Sequence, residues 1–293
     1  MRFGVLLAAV ILVGGSLFWR DIAGVVNGHS STKASTIKKD KDMDGSQSSP
    51  GVHIAAKWEL PDRLKEVSGI VYLDEDRFLC VQDEEGIVFV YNRSTNRIEK
   101  EIPFGGTGDY EGIALNGNTI YVVRSDGQLY EIPINDNSGI NQYKTELTAE
   151  HNIEGLTYDQ RNNRLLLAIK DDEPGNKNYK GIYAFDLTSK KLSMNPVYKI
   201  DLNDKILQQV NNKKKIKPSE IGIHPQSGDI YITDGPGSRL IIMDDKVNIK
   251  KVFDLGKQFV QPEGISFSPE GEVYISNEGT RQPGNILQIT LDL

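Results

Sequence analysis

DYEGIALNGNTIYVVRSDG, residues 109–127, holds two apolar runs of strand-forming residues separated by Asn-Gly-Asn and closed by Asp-Gly. Such runs bounded by turn pairs read as a strand, a tight turn and a second strand. Glu111 stands just before the first apolar residue, an acidic group at the mouth of an otherwise buried strand. The pattern returns in SGIVYLDEDRFLCVQDEEG from Ser68, EGLTYDQRNNRLLLAIKDD from Glu154, SEIGIHPQSGDIYITDG from Ser219 and EGISFSPEGEVYISNEG from Glu263.

The starts lie 43, 43, 65 and 44 residues apart. Units of about 40 to 45 residues with several strands each mark the blades of a β-propeller. A third strand follows each pair (GIVFVYN, QLYEIPI, GIYAFDL, RLIIMDD, NILQITL), and a weaker fourth follows some, as in RIEKEIPF and KKVFDLG. The fifth unit runs out at Leu293 after three strands, while VHIAAKWELP at residues 52–61 is a strand without a blade. Pairing it into the last blade closes the ring and removes an open edge. The fold class expected is all-β, a single propeller of five blades closed by an N-terminal strand. A sixth blade in the gap between Glu154 and Ser219 stays open, although DLNDKILQQVNNKKKIKP there reads as an inserted helix or loop.

Net charge is -7 and the pI about 5.3, so nucleic acid is not expected as a partner, because phosphate contacts need a basic surface. Cys80 is the single cysteine, in the apolar run RFLCVQD, and reads as a small buried strand residue. Residues 1–22 differ from everything after them. Phe3 to Trp19 is an unbroken run of apolar or small residues between Arg2 and Arg20, at the lower end of what spans a bilayer as a helix. An uncleaved anchor and a cleaved signal segment compete for it, with the anchor preferred because no A-x-A site follows the run. The basic N-terminus sets an N-in orientation, so the expected location is the plasma membrane with the propeller outside the cytoplasm, in the periplasm. Residues 23–51 read as a disordered tether too polar to order itself, and residues 52–293 as the propeller, expected to be a monomer.

Innermost propeller strands line the central channel, so Ser68, Glu111, Glu154, Ser219 and Glu263 are expected around one opening. Glu111, Glu154 and Glu263 repel one another and are driven to protonate unless a cation intervenes. They are the candidate metal ligands, with calcium as the cofactor, since it takes six to eight oxygens in flexible geometry. Loops after the second strands add Asp83, Arg124, Lys170 and Asp234 as candidate ligand-binding residues, where Arg124 and Lys170 neutralise the glutamates or grip an anion. A ligand-free network of Glu, Arg and Lys knitting the blades together accounts for the same residues. His224 reads as a turn residue, and KKKIK at residues 213–217 as a solvated loop.

At KEVSGIVYL, DYEGIAL, NIEGLTYD, KPSEIGIHPQSGDIYITD and QPEGISFSPEGEVYISNE the chain resembles the SdiA-regulated family of YjiK- and CarP-like propellers, over about residues 58–293. The resemblance implies a periplasmic propeller with an N-terminal membrane segment, related to calcium-dependent phytase-like and esterase-like propellers. Ser68 and Ser219 depart from the Glu usual at their position. The function expected is an accessory or sensing protein that binds calcium or an anionic ligand at the channel mouth, with a small anionic ligand or an envelope protein as partner. The alternative is a calcium-dependent, phytase-like or esterase-like hydrolase with no assigned catalytic residue.

Overall fold

The computed structural model describes residues 49–135, 139–210 and 215–293. The segment read as a membrane anchor and most of the tether lie outside the described residues. Among the described residues no helix is long and apolar enough to cross a membrane.

Five antiparallel sheets follow one another along the chain. The first blade comprises Val67–Tyr72, Arg77–Gln82, Glu85–Asn92 and Arg97–Thr107, from the innermost strand outward. The second comprises Tyr110–Asn116, Thr119–Arg124, Gln128–Pro133 and Asn141–Lys144. The third has Ile153–Asp159, Arg164–Ile169 and Tyr179–Asp186, and two short strands, Lys191–Leu192 and Tyr198–Asp201, share its outer edge. Pro218–Ile223, Ile230–Asp234, Arg239–Met243 and Ile249–Asp254 form the fourth. The fifth has Pro262–Phe267, Val273–Asn277 and Asn285–Leu291, and its outermost strand is the N-terminal Val52–Glu59. Val52 pairs with Leu291 and Glu59 with Asn285, so the first strand closes the ring as the sequence requires. The long gap holds no sixth sheet among the described residues. Its length goes into the divided edge of the third blade and one turn of 3-10 helix, Lys205–Gln208.

Successive side chains of a strand face opposite sides of the sheet, and here both sides are buried. In Arg77–Gln82, Phe78 and Cys80 pack with Tyr274 and Ile286 of the fifth blade. Leu79 and Val81 pack with Ile113 and Val122 of the second. Every gap between blades carries such a cluster, which explains near-continuous apolar runs such as RLLLAI, where alternation would mark a half-exposed strand. Burial pushes the Cys80 thiol well above its ordinary pKa, as for an inert core residue.

The innermost strands touch in cyclic order, the fifth against the first. Glycine permits that approach. A Cβ at Gly112 would sit 2.6 Å from Leu156 Cβ, and one at Gly155 would sit 2.8 Å from the Ile221 amide nitrogen. Each innermost strand bulges near this point, just inside its start, turning the preceding residue toward the axis.

Candidate binding site at the channel mouth

The start of every innermost strand pairs with the end of the second strand: Val67 with Gln82, Tyr110 with Arg124, Ile153 with Ile169, Pro218 with Asp234 and Pro262 with Asn277. Ser68, Glu111, Glu154, Ser219 and Glu263 therefore occupy one equivalent position, and the loops after the second strands sit at the same end.

The three glutamates face one another electrostatically. Burial, then repulsion by Glu154 and a hydrogen bond with Asp109, pushes the Glu111 carboxyl up to about 10. Burial and then Glu154 push Glu263 up to about 8. Glu154, only 3% exposed, is pushed to about 7 by burial, with Lys170 pulling the other way. Lys170 Nζ donates to Glu154 Oε2 at 3.0 Å. Burial opposes the charge on Lys170, but Glu154, Glu263 and Glu111 together outweigh it and raise its pKa. Lys180, buried beneath this loop, donates to the Lys170 carbonyl at 2.9 Å and to that of Asp171, fixing the turn that presents Lys170.

The two serines have a different task. Ser68 Oγ donates to the Tyr110 carbonyl at 2.6 Å, and Ser219 Oγ donates to the Pro262 carbonyl at 2.7 Å. Each rivets its strand to the residue preceding the glutamate of the next blade.

Sequence reasoning missed Glu220. It stands where the other four repeats carry glycine, and that replacement was the available signal. Its Oε1 accepts from the Leu156 amide at 2.6 Å and the Ile221 amide at 2.9 Å, so it braces the third blade against the fourth. Its Oε2 has no partner among the described residues, and burial, reinforced by Glu154 and Glu263, holds the group far above the usual carboxylate range.

Asp83 joins the acidic set. Burial and the charges of Glu66, Glu278, Glu84 and Asp109 push it up to about 6, and its Oδ1 is buried without a partner among the described residues. Arg124 is engaged with Asp126 in a two-pronged pair at 2.9 and 2.8 Å, which pulls Asp126 down to about 2. Asp234 lies inside the fourth blade, where buried Arg239 donates to it through Nε at 2.9 Å and the Lys217 amide adds a bond at 3.1 Å.

Calcium needs several oxygens converging at about 2.3 to 2.6 Å. Among the described residues no group of three or more His, Cys, Asp or Glu side chains is placed to hold a metal ion. Among the described residues, the cation beside these glutamates is the Lys170 ammonium, bonded to Glu154 and within the field of Glu263 and Glu111.

A sequence model of SdiA-regulated proteins matches residues 46–281. The chain belongs to the SdiA-regulated family. No curated protein matches it. Among solved structures, this SdiA-regulated chain is similar to glutaminyl cyclase of Myxococcus xanthus, at 15% identity and a TM-score of 0.57, over 82% of this chain and 96% of that one. It also matches virginiamycin B lyase from Staphylococcus aureus, at 15% identity and a TM-score of 0.45, over 80% and 69% of the two chains. At such identity the cyclase likeness shows the propeller fold alone.

Proposed function

We propose that this SdiA-regulated propeller is a binding module whose acid-rich channel mouth takes up a cationic group, the ammonium or guanidinium of a small molecule or peptide, in an accessory or sensing role. The carrying observation is the surplus of carboxyls at this mouth: Glu154, bonded to Lys170, and Glu111 and Glu263 beside it, with Glu220 and Asp83 among the neighbouring acids, all above their ordinary pKa. Carboxyls kept neutral by burial and, after it, by mutual repulsion ionise when a further cation arrives, so binding is driven by the charge the ring otherwise lacks. The partnerless oxygens of Glu220 and Asp83 supply acceptors for its hydrogen bonds. Attachment to the plasma membrane with the propeller in the periplasm belongs to this proposal and rests on the arginine-flanked apolar run at the N-terminus.

Calorimetry of the full chain with agmatine and with calcium, with and without chelator, tests the reading. Agmatine should bind near pH 7.5 and release protons, so the heat changes with the ionisation enthalpy of the buffer, and Glu154→Gln should weaken it. No binding, or binding unaffected by Glu154→Gln and Glu263→Gln, overturns it. Tight, chelator-reversible calcium binding at these glutamates would favour the metal reading in its place, and chelator-sensitive turnover of aryl phosphates or esters would favour the hydrolase.

A further inference from the structure

The other end of the channel is a different kind of surface. There the same innermost strands run out into a cavity of about 550 Å³, within the range of small-molecule sites. Its lining includes one branched aliphatic residue from each blade, Ile70, Ile113, Leu156, Ile221 and Ile265, all almost fully buried. Tyr72, Tyr158 and Phe267 continue the lining with aromatic rings. None of these side chains belongs to the acidic mouth.

One cation belongs to this cavity. Arg161, exposed in the hairpin turn of the third blade, lies against Gly228 of the fourth blade's turn, where a Cβ would come within 2.7 Å of its guanidinium. It makes no hydrogen bond or ion pair with any described residue. The nearby carboxylate of Asp159 is already taken by Arg164 Nε at 2.8 Å and Asn162 Nδ2 at 2.7 Å. His224 is occupied as well, with Nε2 at 3.2 Å from the Gly271 carbonyl and Nδ1 accepting from the Ser227 amide at 3.3 Å. Asp245 is another charge of the lining with no bonded partner among the described residues, and its repulsion weighs more heavily on a doubly charged anion than on a single carboxylate.

We propose that this second mouth binds an amphipathic monocarboxylate, its hydrocarbon chain against the five aliphatic side chains and its carboxylate in the fork of Arg161. The aliphatic and aromatic part of the lining accommodates a chain, the polar turn residues around it face the water-exposed head, and a guanidinium selects for the planar anion. The proposal stands apart from the cation-binding reading, since the two mouths share no side chain.

Isoleucine-methyl NMR of the full chain, titrated with octanoate below its micelle concentration, reports the site by residue and separates it from binding elsewhere. Octanoate should shift the methyls of Ile113, Ile221 and Ile265, and octanol should bind about tenfold or more weakly, the worth of one charge-assisted contact. In Arg161→Ala the two ligands should become equal, whereas Lys170→Met should leave octanoate binding unchanged. Methyls that do not move overturn the proposal, and so does octanol binding as tightly as octanoate to the unmodified protein. Octanoate binding lost in Lys170→Met would place the anion at the acidic end and also overturn it.

Discussion

One end of the channel opens among carboxyls held above their ordinary pKa around a single lysine, while the other opens among aliphatic and aromatic side chains with a guanidinium at the edge. Both ends are built from the same five strands, only two residues apart: Glu111 and Ile113 belong to opposite mouths, as do Glu154 and Leu156. Between them lies the glycine whose missing side chain lets neighbouring blades touch, with Glu220 in its place in the fourth blade. The contrast teaches that the bulge, more than composition, divides the channel. It turns one polar residue per blade to the acidic end, and the next residue but one then packs between blades with the rest of the core.

The severest way to break this contrast is to remove its frame. Asp234→Ala should leave the buried Arg239 without its carboxylate and cost about 3 to 5 kcal/mol, measured by chemical denaturation. Leu156→Ala, at the apolar end, should cost about 2 to 5 kcal/mol through the cavity it opens between the second and third blades. If it proves nearly neutral, the aliphatic lining is loose and the cavity is not preformed.

A pH titration of stability sharpens the contrast further. Glu154 and Glu263 bind protons more tightly folded than unfolded. Their contribution is therefore fully present below the ordinary carboxylate range near 4.5, and it is lost as pH rises through about 7 and about 8. The protein should be more stable at pH 5 than at pH 8 by about 1 to 3 kcal/mol. Glu263→Gln should flatten that slope, whereas Ile113→Val, at the other end, should leave the slope intact while lowering the whole curve. A slope unchanged in Glu263→Gln would mean that the acidic end does not set it. The smallest expected effect is that of Arg161→Ala, less than about 0.5 kcal/mol on unfolding because the side chain is exposed and bonds to none of the described residues.

Much of this was legible in the chain. The hairpins repeat with enough turn chemistry to count blades, and the unpaired strand at residues 52–61 announced how the ring closes. Glu111, Glu154 and Glu263 were legible as neighbours because they share one repeat position. What Ser68 and Ser219 do there was not, since their bonds run to backbone carbonyls of the next blade, which no side-chain pattern records. Glu220 stands one residue after the position that Glu111, Glu154 and Glu263 share, so the repeat that unites those three leaves it out. Asp234 looked like a loop carboxylate because its partner Arg239 follows only after a turn and begins the next strand. The apolar mouth had no linear signature: strand ends of five blades, far apart in sequence, supply its lining. The divided edge of the third blade was invisible for another reason. Its strands, Lys191–Leu192 and Tyr198–Asp201, are too short to show a period.

The pairing of Val52–Glu59 with Asn285–Leu291 ties the first strand of the described propeller to its last. A ribosome must finish nearly the whole domain before that partner exists, so the opening strand waits with its backbone groups unsatisfied while four blades assemble behind it. Loss of the strand Asn285–Leu291 would therefore reopen the entire circle, a far greater injury than trimming a surface tail, and would leave the newborn chain prone to pair with its own copies.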